Sequence, residues 1–106
     1  MCDFRLWYQC SEDIYILQCA DCNTYQVRLG NAAFMFEPFE YKTFFEVVTQ
    51  IRNSIESGML KDPIILPTFN HGMEILLSEA DLKSLYSLLD GADTEMKAAQ
   101  LAGMFH

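Results

Sequence analysis

Residues 25–48 read YQVRLGNAAFMFEPFEYKTFFEVV, and within them the spacing of apolar positions changes from two to three-and-four. Tyr25, Val27 and Leu29 alternate with Gln26 and Arg28, the pattern of a half-buried strand. Gly30-Asn31 makes a tight turn, since both residue types tolerate positive φ, and Ala32 to Phe36 returns as the next strand. Glu37-Pro38-Phe39-Glu40 then opens a helix. Proline suits the first helical position, where its missing N–H is no loss, and carboxylates suit the positive end of the helix dipole. Tyr41, Phe44, Phe45, Val48, Ile51 and Ile55 fall on one face of that helix, and Gly58 caps its end. A hairpin that runs straight into an amphipathic helix places the chain in the α+β class.

Upstream, Phe4, Leu6 and Tyr8 alternate with Arg5, Trp7 and Gln9, Ser11 to Asp13 signals a turn, and Ile14 to Gln18 reads as a strand. These strands join Thr24–Leu29 and Ala32–Phe36 in an antiparallel meander. Downstream, Ile64 to Leu66 is a short strand that Pro67 marks as an edge or a strand end. Asn70-His71-Gly72 is a turn, and Met73 to Leu77 is a further strand. Ser78 with Asp81 three residues on is a helix start, and Leu82, Leu85, Leu89, Ala92, Met96, Ala99 and Gly103 trace one seam. The seam runs past Gly91, which favours one long helix; two helices broken at Asp90-Gly91 is the alternative. The expected whole is one α+β domain over 1–106: a meander over 1–37, a helix over 38–58, a hairpin over 63–77 and a C-terminal helix over 78–104. Its sheet would have about five or six strands, with both helices packed on one face. A faint repeat accompanies this: shifted by 41 residues, Ala32–Val48 lies over Met73–Leu89 with apolar positions matched, although only Lys42 and Lys83 are identical.

If Tyr8 faces Tyr15 and Leu6 faces Leu17, the core side of the meander carries Phe4, Leu6, Tyr8, Tyr15, Leu17, Tyr25, Val27 and Leu29. The opposite side then holds Trp7, Ile14 and Ile16 amid Arg5, Gln18, Gln26 and Arg28. An apolar centre with an arginine and polar rim has the composition of an interface. Trp7, Ile16, Arg5 and Arg28 are therefore the candidate contacts to a second copy or another protein. A face covered by the chain's own C-terminal segment is the competing expectation.

The 106 residues carry a net charge of −8, and the seven basic side chains are scattered with no two adjacent. Without clustered cations to neutralise phosphates, nucleic acid and anionic membrane surfaces are poor partners. The first ten residues do not read as a signal peptide, and no run approaches the roughly 18 apolar residues of a membrane span. A cytoplasmic location is the expectation, where four cysteines are thiols or metal ligands rather than disulfides.

Cys19-Ala-Asp-Cys22 lies between two strands, so no helix dipole is available to stabilise a redox thiolate. A strand–CxxC–strand turn is instead the shape of half a ribbon-type zinc site. Strand rise of about 3.4 Å per residue puts Cys10 roughly 17–20 Å from that turn, at the far end of the first hairpin. The candidate structural zinc ligands are therefore Cys2, Cys19 and Cys22, with His71, His106 or a non-protein group as the fourth. The bland alternative is unliganded thiols and a histidine that merely occupies a turn. Paired acids such as Glu37 and Glu40 sit at helix starts, where they cap backbone rather than move protons. The sequence has no glycine-rich phosphate loop, HExxH or GxSxG. The expectation is a small non-enzymatic binding module; a thiol-redox or metal-dependent enzyme using Cys19 and Cys22 is the alternative.

The run IYILQCADCNTYQVRLGNAAFMFEPFE (14–40), with the later IILPT and LLSEADLKSLYSLL, resembles a small family of uncharacterised bacterial proteins. These are Bacteroidetes-type chains of about 100 residues classed as a domain of unknown function. The likeness lies in an early cysteine, the CxxC, the alternating run to Gly30-Asn31 and the acid-capped helix. It implies a bacterial cytoplasmic origin and interest in Cys2, Cys19 and Cys22. It supplies no catalytic residue, and Cys10 is outside the pattern.

Overall fold

The computed structural model describes residues 3–59, 64–67 and 74–104. The Lys61–Pro63 break, the Asn70–Gly72 turn and the candidate ligands Cys2, His71 and His106 lie outside them. Among the described residues six strands and two helices follow in the order β1 (Phe4–Ser11), β2 (Ile14–Cys19), β3 (Tyr25–Leu29), β4 (Ala32–Phe36), α1 (Pro38–Glu56), β5 (Ile64–Pro67), β6 (Glu74–Leu77) and α2 (Glu79–Met104). Strands β1 to β4 form an antiparallel meander in sequential order, while β5 and β6 pair as a separate hairpin. The α+β class, the six strands and both helices stand as read; the strands divide between two sheets.

Local chemistry sets each boundary. Gly30 has φ of 61° while Asn31 stays out of the positive region, so the β3–β4 turn has the form in which glycine leads. The backbone N–H of Glu37 donates to Glu40 Oε1 at 2.9 Å, half of a reciprocal cap, and Pro38 takes the first helical position. At the other end Gly58 has φ of 78°, and the amides of Gly58 and Met59 donate to the carbonyls of Ile55 and Ser54. That pair of bonds satisfies two carbonyls that the end of a helix would otherwise leave open. In α2 the Asp81 N–H donates to Ser78 Oγ at 3.1 Å.

The helix faces pack as the periodicity requires. Tyr41, Phe44, Val48 and Ile55 of α1 are buried against Leu82, Leu85, Leu88, Leu89 and Ala92 of α2 in one core. The 41-residue shift maps Tyr41 onto Leu82, Phe44 onto Leu85 and Val48 onto Leu89, and every member of these pairs is buried. Phe45 and Tyr86, another matched pair, meet each other with ring centroids 6.2 Å apart.

Helix α2 is unbroken through Gly91, and the residue has a packing role. An added Cβ there would lie 2.6 Å from Cζ of Tyr8, so the ring of β1 rests directly on the helix backbone. Glycine inside a helix costs about 1 kcal/mol relative to alanine; here it lets a strand side chain approach closer than a Cβ would allow.

The sheet faces are the reverse of the sequence expectation for β2 and for Phe4 and Leu6 of β1, whereas Tyr8 keeps the expected inward side, its ring on Gly91 of α2. The pairing Leu6↔Leu17 is present, but a register irregularity at Trp7 puts Tyr8 opposite Ile16, not Tyr15. Strand β2 meets β3 with Ile16↔Val27 and Ile14↔Leu29, one residue from the expected alignment. A one-residue slip exchanges the two faces of a strand. Ile16 and Val27 are accordingly fully buried, whereas Phe4 and Leu6 are each half exposed. The proposed open surface centred on Trp7 and Ile16 is therefore the inner face, partly under α2, which packs against both β1 and β2. The competing expectation, a face covered by the chain's own C-terminal segment, describes it. For β3 the expected inward set Tyr25, Val27 and Leu29 holds, with Tyr25 and Leu29 partly buried around the fully buried Val27.

Candidate functional site: the outer sheet face and the cysteine turn

Residues that cannot reach the core from the meander line up across it in rows. One complete row runs Leu6–Leu17–Gln26–Met35 through all four strands, and the next runs Gln9–Tyr15–Arg28–Ala33. Phe4 and Leu6 are each 50% exposed and Met35 57%, with Leu17 partly covered between them. The only charge in these two rows is Arg28. Its Nε donates to the Gly30 carbonyl at 3.0 Å and its Nη1 to Tyr15 Oη at 3.3 Å, which lays it along the sheet. No carboxylate belongs to either row, although the chain has fifteen. Water makes no favourable use of such a surface: each exposed apolar side chain forgoes about 25 cal/mol per Å² it could bury.

The cysteine turn closes one end of the meander. Cys19 N donates to the Thr24 carbonyl and Asn23 N to the Cys19 carbonyl, both at 2.9 Å, with Asn23 at φ of 63°. Ala20 N donates to the Asp3 carbonyl at 2.7 Å, tying the turn to the start of β1. Cys19 is 1% exposed, while Cys22 is exposed with its Sγ donating to Thr24 Oγ1 at 3.2 Å. Cys10 is exposed near the far end of β1, at the second irregularity of the ladder between Gln9 and Ser11. Phe4, not Cys10, faces Cys19, so six strand residues or about 20 Å separate Cys10 from the turn. Among the described residues no three His, Cys, Asp or Glu side chains converge as a metal site.

The inner face ends beside this turn in a cleft of about 370 Å³ lined by Arg5, Trp7, Gln18, Tyr25, Met96, Ala99 and Gln100. The Arg5 guanidinium lies 4.0 Å over the Trp7 ring, and Trp7 Nε1 donates to Gln18 Oε1 at 2.9 Å. Tyr25 stacks on Tyr41 at 4.1 Å, and the Tyr41 hydroxyl is buried without a partner. Burial, chiefly, pushes that hydroxyl well above the ordinary tyrosine range. Of the four residues expected to form an interface, then, Trp7 and Arg5 stack in this cleft, Ile16 is core and Arg28 lies on the outer face.

A family model matches residues 1–103. The chain belongs to the family of unknown function DUF6686. The DUF6686 match takes in the meander, the hairpin, α1 and all but the last residue of α2, as well as the cysteine turn and the outer face. No curated protein and no solved structure matches the chain. No described helix of this DUF6686 chain is long and apolar enough to cross a membrane.

Phe4, Leu6, Leu17 and Met35 were not legible as an open surface. Strand β2 reads Ile-Tyr-Ile-Leu, apolar at both parities, so its sequence leaves the buried side undecided. The deciding feature is the five-residue link from Ala20 to Thr24, which sets the β2–β3 register and aligns Ile16, not Leu17, with the inward set of β3.

Proposed function

We propose that this protein is a small non-enzymatic interaction module, and that its docking surface is the outer face of the meander. The observation that carries this reading is the row Leu6–Leu17–Gln26–Met35, apolar at three of four positions and bare of acid in an acid-rich chain. A sheet face of this composition is the kind of surface that becomes the dry centre of an interface. The competing reading, thiol chemistry at Cys19 and Cys22, has less support. The cysteine turn leads into a strand, so neither thiol has the helix N-terminus that lowers a cysteine pKa in redox proteins.

Site-specific photocrosslinking tests the proposal in the cells that make the protein. A photoreactive side chain at Leu6 or Met35 should give a discrete crosslinked species, and one at the exposed Lys83 of α2 should give none. Absence of any discrete product from Leu6 and Met35, with the protein folded and abundant, would remove the docking surface from the account.

A further inference from the structure

The two edges of the meander are built differently. Strand β1, at one edge, has two irregularities in its ladder, at Trp7 and at Cys10. Such interruptions twist an edge strand and spoil it as a template for another chain. Strand β4, at the other edge, pairs with β3 in unbroken register from Leu29↔Ala32 to Tyr25↔Phe36. Its sequence, AAFMF, holds no proline, lysine or other charge, and its ladder has no bulge, so three of the usual protections are missing. Among the described residues no strand pairs with its far side, since β5 and β6 form their own sheet. Ala32 and Ala33 point to opposite faces and are both exposed, so the strand is open at that end on either side.

The parity of the edge follows from the turn. A two-residue hairpin closes with its flanking pair exchanging hydrogen bonds, and alternate pairs repeat this. Leu29↔Ala32, Val27↔Phe34 and Tyr25↔Phe36 are then the bonded pairs of the β3–β4 ladder. The Gly30 N–H, donating at 2.8 Å to the Asp13 carbonyl on the β2 side, has the alternation this requires. The N–H and C=O groups of Ala33 and Met35 therefore project from the open edge.

We infer that β4 is a self-pairing edge: two copies of this chain join antiparallel along β4 about a two-fold axis at Phe34. This rests on the interaction-module reading and adds to it a second copy as partner at the sheet edge, beside the outer face. In that register Ala33 faces Met35 of the second copy and exchanges both hydrogen bonds with it, and the symmetric pair does the same, for four in all. Phe34 meets its own counterpart. Ala32 faces Phe36 and Ala33 faces Met35, so each small residue stands opposite a large one. Glu37 falls opposite Asn31, leaving no like charges in contact despite the chain's net charge of −8. The outer rows of the two meanders become one surface across eight strands, four from each copy. An edge five residues long buries far less than the roughly 800 Å² per partner of a stable complex. The dimer is consequently weak, filling across roughly 10 µM to 1 mM protein.

Sedimentation equilibrium over that range, with amide exchange by NMR on the same samples, tests the pairing. Exchange at Ala33 and Met35 should slow as concentration rises, while Phe34, already bonded to β3, should not change. Ala33→Pro removes only an edge donor, a substitution edge strands tolerate; it should weaken the dimer at least tenfold with the melting temperature unchanged. If that variant unfolds, the wild-type exchange pattern still decides. A protein monomeric at 1 mM, or a dimer in which Ala33 and Met35 exchange as fast as in the monomer, overturns the inference. Crosslinks from Leu6 or Met35 to a different protein, in a chain that never self-associates, would retain the docking face and reject only the β4 pairing.

Discussion

Replacing Gly91 by alanine should change stability in opposite directions depending on what stands at position 8. In isolation the substitution favours the helix, because alanine is about 1 kcal/mol better than glycine in a helix interior. In this fold the new Cβ would lie 2.6 Å from Tyr8 Cζ and 2.8 Å from each Cε. Carbon atoms rest at about 3.5–4.0 Å, so the ring must retreat by roughly 1 Å or leave the helix. Overpacking of this kind costs about 1–3 kcal/mol. Tyr8 is 36% exposed, so its ring has room to yield and the cost belongs in the lower half of that range. Gly91→Ala alone is expected to be destabilising by up to about 1 kcal/mol once the helical gain is subtracted. In a Tyr8→Ala background the clash is gone, and the same substitution should stabilise by about 1 kcal/mol. The assay is a double-mutant cycle by urea unfolding, with a coupling of about 1–2 kcal/mol expected. Equal stabilisation by Gly91→Ala in both backgrounds would refute the close approach of β1 to α2.

Three further outcomes follow from the packing and the cysteine turn. Tyr41→Phe deletes a buried hydroxyl that has no partner, so at neutral pH it should leave stability unchanged or raise it by about 1 kcal/mol. The native pKa of Tyr41 is raised by burial, so above about pH 10 the unfolded chain loses a proton that the native state keeps, and stability falls. Unfolding midpoints between pH 9 and 12 should show Tyr41→Phe shedding up to about 1.4 kcal/mol per pH unit of that decline; parallel profiles would contradict it. Ile16→Glu should unfold the protein, since it puts an unpaired charge in the core, whereas Leu6→Glu should move the melting temperature by no more than a degree or two. The reverse ranking would mean the faces are assigned backwards. If the cysteine turn is a zinc knuckle, elemental analysis of protein made without chelator should give close to one zinc per chain. Cys2→Ser and Cys22→Ser should then each release it and Cys10→Ser should not; metal-free protein would leave two ordinary thiols.

Most of the fold was legible because helices and turns carry their signals locally. Ser78, Pro38, Gly30 and Gly58 each do their structural work within a few residues of their own position, and the seam Leu82–Leu85–Leu89–Ala92 needs nothing beyond its spacing. The sheet's inner and outer faces were not legible, because they depend on register, and register is set between strands. A chain with tyrosine and leucine at one parity of β2 and isoleucine at the other supports either choice. The winning choice is made by the Cys19–Thr24 closure, which aligns Ile16 with Val27. Gly91 was readable as a weak point of a helix but not as the seat of Tyr8, whose partner lies 83 positions away in sequence. The separation of β5 and β6 from the meander was likewise invisible, since short apolar strands look alike whichever sheet they join.

Methionine oxidation by short radical pulses tests the docking face most directly, because two methionines of the same chemistry serve as probe and control. Met35 on the outer face is 57% exposed and Met59, beyond the end of α1, is 78% exposed. In dilute purified protein both should oxidise readily. In the cells that make the protein, a covered outer face should lower the Met35-to-Met59 oxidation ratio severalfold. A ratio unchanged between dilute protein and cells would contradict the claim that this face is a docking surface.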